Sequence, residues 1–284
     1  MSKIAIITDT DSSLPQTIAE QYGIQQVPIT VHFGDEVLET GRDINDSALF
    51  DRIDRDGKLP TTAAPAPGKF VQAYEAAFAD GADEVVCLTV SSEVSATYAA
   101  AVTAADTLPE RKITVVDTHS LSIGQGFQVL AAADAARAGK PVQEVIAAAR
   151  GVETNTHFYA ALSTLKYLAM SGRVGHLAAG MASLLNIKPV LTIQNGKLEM
   201  VGKIRTRKKA WAHTIQLAAA SIDGMPVKKM AVVHVAAADA AREFETLLRK
   251  KLDCPDEILL VELTPGLSVH SGAGLVGVGL VTGA

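Results

Sequence analysis

Through residues 4–138, short runs rich in Val and Ile alternate with amphipathic helical patterns. Strand patterns fall at residues 4–7, 27–33, 84–89 and 113–116, and helical ones at 15–22, 68–79, 95–105 and 124–138. Such alternation is the mark of βαβ units, which pair their strands in parallel and cover both faces of the sheet with helices. The first half is therefore expected to be α/β. Gly139-Lys140-Pro141 closes the alanine-rich helix, another helix follows over residues 142–155, and a fresh strand is expected over 158–165. This places a domain boundary near Asn155, giving an α/β domain over residues 1–155 and a second domain over 156–284.

In the second half, a glycine-rich turn at 171–175 precedes an apolar helix expected over 177–185. Strand-like runs at 189–193 and 198–204 flank Gln194-Asn195-Gly196-Lys197, and Asn-Gly between two such runs is a strong hairpin signal. The sheet should turn antiparallel there. A basic helix over 206–221, strands at 230–235 and 258–263, and a helix over 237–252 complete an α+β pattern.

Composition excludes several functions. With 48% hydrophobic and 20% charged residues, the 284-residue chain is too apolar to be disordered and too charged for a membrane bundle. A net charge of -5 argues against nucleic acid or anionic lipid as a partner. Two distant cysteines, Cys87 and Cys254, form no metal-binding pair and are expected to be reduced thiols. The opening residues carry no signal-peptide pattern, and no apolar run is long enough to span a bilayer. A cytoplasmic protein without a resident cofactor or metal is expected.

Two motifs invite catalytic readings. Asp9-Thr10-Asp11 follows a buried strand, where Mg²⁺-dependent phosphatases carry a nucleophile and a general acid. That chemistry also needs a second acidic cluster for the metal, and none is evident downstream. The plainer reading is that residues 9–13 cap a helix beginning near Pro15. Gly272, Gly274 and Gly277 spell the glycine pattern of a dinucleotide site, yet no helix and partner strand follow before Ala284. A turn entering a last strand through Leu280-Val281 fits better. What remains is hydroxyl-rich: Thr61-Thr62 before Pro65, and Ser91, Ser92, Ser95 and Thr97 at a helix start, where free N–H groups favour anions.

Taken in order, these stretches resemble the DegV family of bacterial fatty-acid-binding proteins. The resemblance runs through residues 7–15, Thr62-Ala63-Ala64-Pro65, and the loop from Ser91-Ser92 through Ser95-Ala96-Thr97-Tyr98. It continues through Gly172-Arg173-Val174, residues 184–191, Asn195-Gly196-Lys197, residues 203–210 and His270-Ser271-Gly272-Ala273-Gly274. Ala63 stands where the family usually has Ser, Ala96 where it has Gly and Ala273 where it has Pro, and Asp11 intrudes in the opening loop.

The resemblance implies a carrier, not an enzyme, that presents a long-chain fatty acid to a separate fatty acid kinase for acyl phosphate formation, a step toward phospholipid synthesis. Thr62, Ser95, Arg173 and His270 would converge on the carboxylate between the two domains. The acyl tail would lie in an apolar pocket lined by the 177–185 helix and other residues of the second domain. Burying ~14 methylenes at ~0.8 kcal/mol each offers roughly 11 kcal/mol before the cost of association. The basic run Arg205, Arg207, Lys208 and Lys209 is a candidate contact for the kinase.

Overall fold

The computed structural model describes residues 2–173 and 187–283, so the helix expected over 177–185 lies outside the described residues. A four-stranded parallel sheet forms first, in the order β2 (Gln25–Val27), β1 (Ile4–Asp9), β6 (Glu84–Thr89), β7 (Ile113–Asp117). Successive side chains point to opposite faces of a strand, and both faces here are apolar. Ile7, Val85 and Cys87 pack under α3 (Pro67–Ala79) and α4 (Thr97–Asp106) with Phe70, Tyr74 and Ala101. Ile4, Ile6, Val86 and Leu88 face the other way, into the core shared with Ile123, Phe127 and Leu130 of α5 (Ser122–Arg137).

Helix α5 is buried almost all round through its first nine residues because it lies against both major sheets. The second sheet has six strands in the order β10 (Lys197–Ile204), β9 (Lys188–Gln194), β8 (Thr156–Ala161), β13 (Val276–Thr282), β11 (Val227–His234), β12 (Leu259–Glu262). It is mixed: the hairpin and the β8, β9, β13 and β11 pairings are antiparallel, and β11 pairs with β12 in parallel. Its other face packs on α8 (Arg207–Ile222) and α9 (Ala238–Arg249) through Trp211, Ile215, Phe244 and Leu248.

The structure corrects several expectations. Pro28 interrupts the run over 27–33, which divides into β2 and β3 (Thr30–Phe33) because proline offers no N–H to a ladder. Strand β3 joins β4 (Glu36–Glu39) and β5 (Thr61–Ala63) in a small antiparallel sheet, so the first half is not purely parallel and Thr62 lies on a strand instead of a loop. Residues 9–13 do not cap α1 (Gln16–Tyr22), whose N-cap is Pro15; Asp9 caps a single 3-10 turn over Thr10–Ser12 by accepting the Asp11 N–H. The strand expected over 158–165 ends at Ala161 and gives way to α7 (Lys166–Met170). Two further helices were not expected, α2 (Asp46–Asp56) and α10 (Pro265–Ser271); α6 (Val142–Thr154) was. Among the described residues, no helix is long and apolar enough to cross a membrane.

Candidate functional site

A cavity of about 300 Å³ opens where the carboxyl ends of β1 and β6 meet the small sheet, α10 and one face of the six-stranded sheet. In a parallel sheet this edge is where loops leave the strands free to shape a pocket. The far wall follows strand pleating. Phe158, Ala160 and Leu162 alternate along and just beyond β8, Leu191 on β9 is opposite Ala160, and Leu198 of β10 continues the same face. Leu121, Leu263 and Leu275 close the interior.

The lining divides by exposure. Phe158, Ala160, Leu162, Leu191, Leu263 and Leu275 are buried, whereas Thr62, Ser95 and His270 are partly exposed and Arg173 is exposed. The polar end is therefore the open end. All four residues expected to converge do line this one cavity, although 208 residues separate Thr62 from His270. Strand β5 carries Thr62 opposite Val31, and α10 brings His270 Nε2 to 2.9 Å from Thr62 Oγ1. His270 sits in the last turn of α10, not in a glycine-flanked turn, while Arg173 follows Gly172 just beyond α7.

Electrostatics keep the histidine neutral. Burial, and then the charge of Arg173, pull the His270 imidazole down to about 4. Its Nδ1 has no hydrogen-bond partner among the described residues. In the tautomer with Nε2–H donating to Thr62, the Thr62 hydroxyl hydrogen is free for an acceptor in the cavity. Arg173 then supplies the formal positive charge, with one guanidinium N–H donating to Ser171 O at 2.8 Å. Ser95 stands just before α4, its Oγ 2.8 Å from Thr97 Oγ1 and accepting the Thr97 N–H at 3.3 Å. A helix N-terminus beside a serine and a threonine favours an anion. Together these groups can hold a carboxylate with neutral donors and one cation.

The loop carrying Ser95 is braced from the other sheet. Ser91 Oγ donates to Gly196 O at 2.8 Å, and Lys197 and Glu93 approach to 3.3 Å. Asn195 and Gly196 both adopt positive φ, 50° and 79°, as a two-residue hairpin turn requires.

The buried pair Asp9 and Asp11 divides its roles. Asp9 accepts N–H groups from Asp11 and Val90 and from Gln125 Nε2, at 2.9, 2.8 and 3.1 Å. Among the described residues the Asp11 side chain receives only Thr264 Oγ1, at 3.2 Å, and burial followed by the charge of Asp9 holds its carboxyl well above the usual range. Burial lifts the Asp9 carboxyl too, to about 6, but its N–H donors oppose that lift, so Asp9 is the better stabilised anion of the pair. Among the described residues there is no group of three or more His, Cys, Asp or Glu placed to hold a metal ion.

Sequence reasoning missed two parts of the wall. In the sequence Asp11 read as half of a phosphatase-like Asp9-Thr10-Asp11 motif, as part of a helix cap and as a departure from the family's opening loop, yet it lines the cavity. The alternation Phe158-Ala160-Leu162 was visible in the sequence as one face of a strand but carried no sign of what it faces.

Comparison with known proteins bears on the whole chain. A family model described as "Uncharacterised protein, DegV family" matches residues 3–283. A DegV domain-containing protein of Streptomyces coelicolor is 38% identical over 277 residues, covering 97% of each chain. Among solved structures, a fatty-acid-binding DegV family protein from Thermus thermophilus superposes with a TM-score of 0.89 at 29% identity, covering 99% of both chains. DegV of Bacillus subtilis, described as a fatty acid binding protein, gives 0.87 at 26% identity with both chains fully covered.

Proposed function

This chain belongs to the DegV family, and on that premise we propose that it binds one long-chain fatty acid and presents its carboxylate to a separate fatty acid kinase. The observation that carries the reading is the division of the cavity into a buried apolar interior and an open polar end. A fatty acid has that same division. Its carboxylate would take hydrogen bonds from Thr62 and Ser95, with His270 orienting Thr62 and Arg173 offering charge at the opening. Its tail would lie against Phe158, Leu162, Leu191 and Leu275, sheathed from water. The fatty-acid-binding relatives from Thermus thermophilus and Bacillus subtilis support the ligand class.

Transfer to a kinase needs the carboxylate end, not the tail, to face outward, and the exposure of Arg173 agrees with that. The protein would contribute no bond-making chemistry; the kinase would supply ATP and phosphorylate the carboxylate in the cytoplasm. Arg205, Arg207, Lys208 and Lys209 are all exposed, the last three in the first turn of α8. Cations there oppose the helix dipole, which normally favours acidic residues at this end. Among the described residues only Arg207 has a nearby carboxylate, Glu243 at 3.9 Å, and it also lies over the Trp211 ring. A cationic surface kept against local preference suits an acidic docking face on the kinase.

Mass spectrometry of the organic extract of the purified protein tests the ligand. A fatty acid of about 14 to 18 carbons in near-equimolar amount is expected, because a sheathed tail is retained through dilution. Delipidated protein that rebinds no such acid would overturn the reading.

A further inference from the structure

Among the described residues that line the cavity, one side chain is acidic. Asp11 is 6% exposed, lines the wall and has Oδ1 engaged by Thr264, while Oδ2 has no hydrogen-bond partner among the described residues. The backbone makes room for it. A Cβ on Gly266 of α10 would lie 2.5 Å from Asp11 Oδ1 and 3.0 Å from Ile29 Cγ2, so only glycine lets the helix pass this close. Gly266 and His270 are four residues apart on α10, which sets Asp11 about 6 Å along the helix from the polar end. A bound tail would cross Asp11 a few carbons from its carboxylate.

From this placement we infer that Asp11 is a specificity residue for an acyl chain bearing a hydroxyl near its carboxyl end. The inference rests on the fatty-acid reading above and deepens it. A plain methylene offers Asp11 Oδ2 no hydrogen bond, whereas a hydroxyl offers both a donor and an acceptor. The protonated state favoured by burial and by Asp9 matches such a hydroxyl, since the acid can both donate and accept. A free anion would be harder to keep in this wall, because burial and then the charge of Asp9 oppose it.

The test is calorimetric titration of delipidated protein with palmitate and with hexadecanoic acids hydroxylated singly at successive positions near the carboxyl end. In the unaltered protein, one hydroxylated isomer is expected to bind about tenfold more tightly than palmitate. Asp11→Ala should erase that ratio while still binding palmitate, and Asp11→Asn, which keeps a donor and an acceptor, should preserve part of it. Because each variant is judged by its own ratio, a change in stability common to both ligands cancels. If palmitate binds but no hydroxylated isomer is preferred, or the preference survives in Asp11→Ala, the inference fails and the fatty-acid reading stands. If neither palmitate nor any isomer binds the unaltered protein, both fail together.

Discussion

Replacing Thr62 with Val removes one hydroxyl and changes little else. Thr62 lies on β5 opposite Val31, whose side chain is fully buried, and valine keeps the β-branched shape that suits a strand. The free protein loses the 2.9 Å contact with His270, a neutral hydrogen bond worth about 1 kcal/mol, so its melting temperature should fall by only a few degrees. Ligand binding should suffer more. A hydrogen bond to a charged carboxylate contributes about 1.5 to 3 kcal/mol, which corresponds to roughly a ten- to hundredfold rise in Kd. Calorimetric titration with palmitate, alongside a melting curve, separates the two effects. Ser95→Ala should behave similarly, and because both hydroxyls would serve one carboxylate, the double variant should depart from additivity by about 0.5 kcal/mol or more. If Thr62→Val and Ser95→Ala both bind palmitate within twofold of the unaltered protein, the carboxylate is held elsewhere and the site is misassigned.

Changing Arg207, Lys208 and Lys209 together to Ser should leave palmitate affinity unchanged and slow acyl phosphate formation by the kinase, most of all at low salt; equal rates at low and high salt would refute the docking role. Asp46→Asn should raise the melting temperature by several degrees at pH 8, with the gain shrinking toward pH 5. Burial, with Glu262 adding repulsion, lifts the Asp46 carboxyl to about 7 despite the 2.7 Å bond from Ser268 Oγ. A folded-state value above the unfolded one means that stability is fully present below about pH 4 and is lost as pH rises through 7, so removing the charge helps only on the alkaline side. A melting difference independent of pH would show that Asp46 does not titrate there.

The parallel sheet was legible because β1 and β6 are buried on both faces and so read as near-continuous apolar runs, with the Val/Ile-rich β7 beside them at the edge. The hairpin was legible because only certain residues tolerate the positive φ of Asn195 and Gly196. Helices α2 and α10 were harder. Helix α2 is mostly polar, with Leu49, Phe50 and Ile53 as its buried apolar face. Helix α10 contains Gly266 and two serines, weak helix formers, and is held partly by the bond from Ser268 to Asp46, 222 residues away. No local pattern encodes a contact of that kind. The same reason hid the candidate site: Thr62 and His270 meet through β5 and α10, two elements with the weakest local signals, and only resemblance to a family brought them together in advance.

The polar end of the cavity depends on two clamps made by different parts of the chain. One holds Ser95: the Asn195-Gly196 turn of the six-stranded sheet accepts from Ser91, and a Cβ on Gly196 would lie 2.6 Å from Ser91 Oγ. The Asp117 carboxylate at the end of β7 receives the Ser92 N–H in the same loop. The other holds Thr62 through His270, with α10 fixed by Ser268 to Asp46 and by the close passage of Gly266 over Asp11. Each clamp uses hydroxyls and a glycine because backbones must approach within a hydrogen bond of one another. The apolar interior has no such requirement, since dispersion and water exclusion are satisfied by any well-filled wall. Head-group geometry is therefore sensitive to how the sheets meet, whereas the tail chamber tolerates exchange among Leu, Ile and Phe, and chain selectivity falls to Asp11, the acidic residue among the described lining.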